Sequence, residues 1–464
     1  MPVQEIADAP LYPPAITPPD VPQKPLDFLF TVVRNPLETL PKAAYQQRVL
    51  VHRPTSRIKI AWICDPEVIE EILVDKQGRF QKNVVERRVL GPVLGEGVLI
   101  AEGPSWRWQR RAMAPLMRAA DIATYVPAMA QAAREQIERW RRDPDGTVQP
   151  IDKDMIDLTF AIIARTMLTG GEPAESELIK HEGDRFISHT SWELAFTLLR
   201  LPRWVPHPHK WLSWRTARRV RGAVAAIVAR RRKQSEHTDD LLGRLLRATD
   251  PETGQSMSDE QVVDNISTLL AAGHETTARA LTWTLYLLAR APQWQQRARD
   301  EVLRVAGNRP IESHHLDQFD IIERILKESM RLYPPVVVMA RTPTEPVELF
   351  GEFFKPGDQL TIPIWCLHRN ETLWDDPARF DPDRFLPELE RDRPRTQFMP
   401  FGGGARICIG MSFAMAEAKV VLATLLQHAA FEWDGIYVPE PVSRVTLRPR
   451  DGMPLIVRML DATA

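Results

Sequence analysis

Charge of one sign, long apolar runs and paired cysteines are all missing from this 464-residue chain. Its 60 Lys and Arg against 61 Asp and Glu leave a formal net charge of −1, so no basic surplus points to nucleic acid as a partner. Three cysteines, Cys64, Cys366 and Cys408, lie far apart and show neither disulfide nor zinc spacing. With no secretory leader visible, a reducing, cytoplasmic location is the expectation. No stretch reaches the roughly 18 apolar residues that a membrane span needs. The best N-terminal candidate, residues 26–33, is short and interrupted by Asp27.

Proline is abundant by contrast. Pro2, Pro10, Pro13, Pro14, Pro18, Pro19, Pro22 and Pro25 forbid regular helix over residues 1–25. That segment reads as an extended arm, lying over the domain or free in solvent, and residues 26–464 as one large domain. Helix is expected at 37–50, a strand at 57–64 and helix again at 67–74. Residues 121–169 read as two helices broken around Asp143-Pro144-Asp145-Gly146. Residues 172–236 read as further helices with Trp192, Phe196, Trp204, Trp211 and Trp214 around a proline-rich bend, ending in a basic, solvated helix at 215–233. The longest periodic stretch is 258–290, where Val262, Ile266, Leu269, Leu270, Gly273, Thr277, Ala280 and Leu281 recur at i, i+3, i+4. At 1.5 Å per residue it would span roughly 48 Å. Helices at 292–306 and 321–333 follow. A hairpin is expected at 348–366, turning at Pro356-Gly357-Asp358, and short strands at 431–460.

One cysteine has an unusual setting. Residues 401–410 read Phe-Gly-Gly-Gly-Ala-Arg-Ile-Cys-Ile-Gly and precede an apolar helical pattern at 411–428. The glycines permit a tight turn and the close approach of a flat ligand. A cysteine at the mouth of a helix is biased toward thiolate, a strong ligand for iron. A phosphate-cradling loop would need Lys-Ser/Thr after the last glycine, and Met411-Ser412 does not supply it. No acidic partner of a dinucleotide fingerprint is evident either.

Phe401, Gly404, Arg406, Cys408 and Gly410 match Phe-x-x-Gly-x-Arg-x-Cys-x-Gly, which resembles the haem-binding signature of the cytochrome P-450 superfamily. Other segments resemble the family's motifs in the family's order. In Ser105-Trp106-Arg107-Trp108-Gln109-Arg110, Ser105 is a plausible N-cap, and Trp106 and Arg110 share a helical face. They match the pair that holds a haem propionate. Ala272-Gly273-His274-Glu275-Thr276 begins a zinc-protease pattern whose second histidine is absent, since position 278 is alanine. It matches instead the family's Ala/Gly-Gly-x-Asp/Glu-Thr. There the resemblance implies that Gly273 opens a gap for oxygen and that Glu275 and Thr276 deliver protons. Glu328-Ser329-Met330-Arg331 and Pro382-Asp383-Arg384-Phe385 match Glu-x-x-Arg and Pro-Glu/Asp-Arg-Phe. The implied role of Glu328, Arg331 and Arg384 is an interlock beneath the haem. Arg341 and Arg406 resemble the second and third propionate arginines, and Phe401, Gly402, Gly410 and Ala272 would also line the cofactor.

The resemblance implies a mainly α fold with small β-sheets. A single large domain would hold haem b between the long central helix and the cysteine loop. It implies a soluble, bacterial-type monooxygenase with Cys408 on the iron and O2 and a hydrophobic small molecule as substrates. Residues 409–464 leave no room for a flavin or iron–sulfur domain, so a ferredoxin- or flavodoxin-type donor with its reductase is expected. The competing readings are a peroxide-driven peroxygenase and a non-enzymatic haem sensor. Residues 89–99, 186–199, 269–272 and 336–340 are the expected pocket walls, mostly apolar. Arg87 or Arg88 is a candidate anchor for a substrate carboxylate, set against the ordinary reading of a solvated arginine.

Overall fold

The computed structural model describes residues 9–20, 25–55, 58–167, 172–233, 240–250 and 252–460. Its organising element is the helix Asp259–Arg290, 32 residues long, hereafter the central helix. A capping box starts it: the Ser258 hydroxyl accepts from the Gln261 N–H at 3.2 Å, and the Gln261 side chain accepts from the Ser258 N–H at 3.0 Å. Pro292 begins the next helix, Pro292–Ala306, immediately beyond it. The central helix is apolar on most of its circumference and is buried accordingly. It packs on helices Ile151–Met167, Lys210–Lys233, Asp320–Leu332 and Met411–His428. The last of these also packs on Val126–Trp140 and Pro292–Ala306. No helix among the described residues is long and apolar enough to cross a membrane.

The main sheet has five strands: β1 (Val49–Thr55), β2 (Ile58–Ile63), β3 (Phe80–Lys82), β4 (Met339–Pro343) and β5 (Gln359–Ile362), in the order β1-β2-β5-β4-β3. Only the β2–β5 pairing is parallel. In its β3–β4 ladder Lys82 lies opposite Arg341. The expected strand at 57–64 is β2, with Arg57 itself outside the described residues.

Two expectations shift. Residues 37–50 do not form one helix. Pro36 and Pro41 break them into a 3-10 turn Pro36–Thr39 and a short helix Ala43–Gln46, and β1 begins at Val49. The hairpin turns at Phe350-Gly351, not at residues 356–358. Both residues there have positive φ, 41° and 75°, as a two-residue hairpin turn requires. The chain then turns at residues 356–358 to enter β5. In the arm, residues 9–20 carry no helix and lie against the domain. The Tyr333 hydroxyl donates to the Pro14 carbonyl at 2.6 Å and the Phe380 N–H to the Leu11 carbonyl at 2.8 Å.

Beneath the cysteine loop, Glu328 and Arg331 are both completely buried. Arg331 donates to Glu328 at 2.6 and 2.7 Å, and to the carbonyls of His368 (2.8 Å), Pro377 (2.7 Å) and Arg379 (3.0 Å). These five bonds match the five N–H groups of a guanidinium. Glu328 also accepts the Asp381 N–H at 2.8 Å. Arg384 approaches Glu328 at 3.7 Å, an ion pair without a hydrogen bond, and donates to the Asp376 carbonyl at 2.8 Å. Glu328→Ala or Arg331→Ala strands a buried charge, at a cost of about 3–5 kcal/mol. Both variants should melt well below wild type and be recovered with little cofactor. Near-normal thermal unfolding in both would show that the pair is dispensable.

Candidate active site

Residues 401–410 form a loop with one 3-10 turn, Gly404–Arg406, leading into the helix Met411–His428. Gly404 has φ +64°, and a Cβ there would stand 2.0 Å from the Leu73 carbonyl oxygen, so only glycine lets the loop lie this close. Gly402 has φ +73° and donates its N–H to the Met399 carbonyl at 3.0 Å. The Cys408 N–H donates to the Phe401 carbonyl at 2.9 Å and closes the loop. Solvent reaches Cys408, yet protein atoms crowded around the sulfur push its thiol up; the Gly410 N–H and the Arg110 charge act in the opposite sense. The place at a helix mouth therefore does not make the thiolate by itself, whereas a metal ion bound to the sulfur deprotonates it.

Cations ring this loop. Arg110, on the helix Gly103–Met113, donates to the Ile407 carbonyl at 2.8 Å. Arg406 donates to the Ala101 carbonyl at 2.9 Å, pairs with Glu102 and lies over the Trp106 ring at 4.4 Å. Trp106 and Arg110 thus share a face as expected, with the indole as a platform for Arg406. Ser105 is not the N-cap: the helix starts earlier, with Pro104 in its first turn, and the Ser105 hydroxyl accepts from Gln109 at 3.0 Å. Arg341 is 6% exposed and donates to the Ala340 carbonyl at 2.9 Å. Lys82, opposite it in the sheet, holds Glu86 at 2.5 Å and the Leu99 carbonyl at 2.7 Å. Among the described residues no carboxylate lies within ion-pairing distance of Arg110 or Arg341. A buried guanidinium without an anion is costly. The residues therefore fit haem, which brings two carboxylates for the arginines and an iron for a sulfur ligand.

The central helix is buried from Val262 to Leu270 and from Thr277 to Leu288, but Ala272 is exposed and Thr276 half-buried. The Thr276 hydroxyl donates to the Ala272 carbonyl at 2.6 Å. A Cβ at Gly273 would stand 2.6 Å from the end of the Ile163 side chain, so the glycine sits in close contact with the helix Ile151–Met167. Glu275 and Thr276 are not brought together, because successive helical residues do not face each other. Glu275 is buried and accepts from the Thr446 hydroxyl at 2.7 Å, with Arg279 at 3.7 Å. It lines a polar cavity of about 340 Å³ with Asp152, Asp157, Asp184, Arg279 and Arg448. Burial, foremost, pushes the Asp184 carboxyl up.

On the expected walls, Val336 and Val338 are exposed valines, whereas Val89, Leu269 and Leu270 are buried. Arg88 is no free anchor: it pairs with Glu193 and donates to the Leu201 carbonyl at 2.6 Å. Arg87 pairs with Glu96 at 2.7 Å.

Two residues were not legible as part of the site. Lys82 joins the cations only through its register opposite Arg341. His368 links the buried ion pair to the loop: its carbonyl accepts from Arg331, and its Nε2 accepts the Met399 N–H at 2.9 Å. Met399 in turn holds the Gly402 turn. Burial, then the charges of Arg331 and Arg369, push His368 down to about 3, so the ring is neutral and its Nε2 free to accept.

Residues 50–451 match the family model described as Cytochrome P450. The chain is 31% identical over 423 residues to the 11-oxo-beta-amyrin 30-oxidase of Medicago truncatula, covering 86% of this chain and 78% of that protein. It is 32% identical over 428 residues to cytochrome P450 CYP72A616 of Paris polyphylla, covering 88% and 80%. A solved structure described as the cytochrome P450DA heme domain superposes with a TM-score of 0.83 at 27% identity, over 97% of this chain and 99% of that one.

The depressed His368 carries a pH signature. The unfolded chain binds a proton near 6.5 that the folded chain refuses until about 3. The resulting stability is complete above 6.5 and is lost as pH falls through that window, by roughly 1.4 kcal/mol per unit for one proton. In denaturant unfolding between pH 7 and pH 5, His368→Gln should start less stable than wild type and lose less on acidification. Parallel pH profiles would remove His368 from this role.

Proposed function

The chain belongs to the cytochrome P450 family of haem monooxygenases, and from that premise we propose that Cys408 is its iron ligand. We further propose that the enzyme inserts one oxygen atom of O2 into a hydrophobic small molecule. The observation that carries this reading is the cysteine loop itself, closed on Phe401 and flanked by Arg110 and Arg341, which meet no protein anion among the described residues. Haem b, held by Cys408, Arg110, Arg341 and Arg406 with Lys82 alongside, supplies when bound the oxygen activation and one-electron chemistry that no side chain here provides. Electrons come from a separate ferredoxin- or flavodoxin-type donor.

The chain's own contribution is proton supply and exclusion of water. Thr276 presents its hydroxyl on the exposed strip of the central helix, beside Ala272. Glu275 points to the other side, into the polar cavity, where Asp184 and Asp157 give access to solvent protons. Proton delivery is thus split between the two neighbours. Glu275 is placed to exchange protons with the cavity, and Thr276 would hold a hydroxyl proton on the exposed strip of the helix. Apolar walls around Val336 and Val338 suit a substrate without charge. The Medicago relative is named for oxidising 11-oxo-beta-amyrin, and a bulky apolar molecule of that kind is the first to test, by its shift of the Soret band on binding.

Thr276→Ala should uncouple the enzyme. With substrate and donor present, the ratio of product formed to reductant consumed should fall by about tenfold. Released hydrogen peroxide should make up the difference, and cofactor content should stay unchanged. Coupling at the wild-type level would remove Thr276 from proton delivery.

A further inference from the structure

Helix Thr190–Leu198 packs on helix Val84–Leu94, and the two carry parts of the expected pocket walls at 186–199 and 89–99. The first has one charged residue, Glu193. Arg88, from the second helix, pairs with one oxygen of its carboxylate, and Nε2 of His207 lies 2.5 Å from the other. Arg88 also donates to the Leu201 carbonyl at 2.6 Å. This small ionic network thus ties both helices to the bend of residues 199–209. It is well shielded from water: the His207 side chain is 1% exposed, that of Arg88 9% and that of Glu193 20%.

The protons of this network can be counted. His207 Nδ1 lies 2.9 Å from the Pro208 carbonyl oxygen, which can only accept. Nε2 faces a carboxylate, which also only accepts when ionised. Burial opposes the charge on Glu193, but the bonds from Arg88 and His207 outweigh it and hold the carboxyl below its ordinary value. Both ring nitrogens therefore face acceptors, and only the doubly protonated ring satisfies both. Glu193 and Arg88 are the charged groups on the elements packed there, and Phe196 adds an uncharged ring at 5.2 Å. Two residues further on, His209 stacks on His189 at 4.9 Å. The bend depends on such bonds, because Pro202, Pro206 and Pro208 keep it out of regular helix. Arg200 and His209 bracket it with φ of +55° and +65°, a region that non-glycine residues occupy only when their surroundings hold them.

From this we propose that His207, as an imidazolium, is a positioning residue of the substrate pocket: it fastens the bend to Glu193 and so fixes helix Thr190–Leu198 against Val84–Leu94, a role that rests on those helices bounding the substrate. Histidine is the side chain whose charge ordinarily changes between about pH 5 and 8, so the fastening is pH-dependent. Its sign follows from the proton count. The bond to Glu193 is made by the protonated ring and is lost as pH rises and the ring gives up that proton. A carboxylate oxygen and a bare ring nitrogen then face each other with nothing to share, and the bend loosens. The direction is opposite to that of His368, which loses stability on acidification.

Hydrogen–deuterium exchange of the full-length holoprotein between pH 6 and pH 9 tests the fastening without a substrate. Peptides covering residues 199–209 are compared with those of His207→Gln at each pH, so that the chemical dependence of exchange on pH cancels. At pH 6 wild type should exchange about tenfold more slowly than the variant, and the two should converge by pH 9. In Glu193→Gln the rate relative to His207→Gln should stay constant with pH, since an amide can bond the neutral ring. The pocket itself is probed with Nile red, an uncharged apolar dye. Its dissociation constant should rise about fivefold from pH 6 to pH 9 in wild type and stay level in His207→Gln. Unchanged ferrous–CO spectra would show that both variants are folded, and a failure of haem ligation would appear there while leaving the exchange result intact. A ratio of wild type to His207→Gln that does not change with pH overturns the proposal. So does a pH-dependent bend with dye affinity that ignores it, which would remove His207 from the pocket.

Discussion

Glu328 and Arg331 are fully buried, and a carboxylate and a guanidinium are tolerated there only because every polar group finds a partner. Arg331 uses its five N–H groups on Glu328 and on three carbonyls from the segment between His368 and Arg379. That segment has little regular structure of its own, and the ion pair gives it a fixed shape. From it the constraint passes through the neutral His368 ring to the Met399 N–H, from Met399 to the Gly402 turn, and so to the loop that carries Cys408. The position of one sulfur thus rests on a chain of hydrogen bonds that begins in the charge of a buried arginine. Replacing the pair by apolar residues would restore volume but not the carbonyl contacts.

Above the loop the balance is reversed, because positive charge there exceeds negative. Lys82 and Arg406 have Glu86 and Glu102, while Arg110 and Arg341 meet only carbonyls. Burial without an anion disfavours the charged form, and desolvation pulls both arginines down from their ordinary values. Such a site is electrostatically incomplete, and a dicarboxylate prosthetic group completes it.

Much of this was legible in the residues. The cysteine motif, the long periodic stretch and the paired Glu-x-x-Arg and Pro-Asp-Arg-Phe segments pointed to fold and family. Their spacing reflects local geometry, which sequence records well. What escaped depended on contacts between distant segments. His368 is an ordinary histidine until Met399 and Arg331 converge on it, and Lys82 becomes part of the cation ring only through strand register. The contact of Gly273 with Ile163 joins two helices far apart in the chain. Glu275 and Thr276 are adjacent in the chain and for that reason face apart. The hairpin moved because Phe350-Gly351, rather than the more conspicuous Pro356-Gly357-Asp358, took the left-handed turn.

The central claim is that Cys408, fixed by this loop, is the ligand to the haem iron. The ferrous–CO spectrum of the purified protein tests it most directly. Wild type should show the strongly red-shifted Soret band of thiolate ligation, and Cys408→His should move the band to the position of a histidine-ligated haem. A wild-type spectrum already of the histidine type, or a red-shifted band that survives replacement of Cys408, would contradict the account.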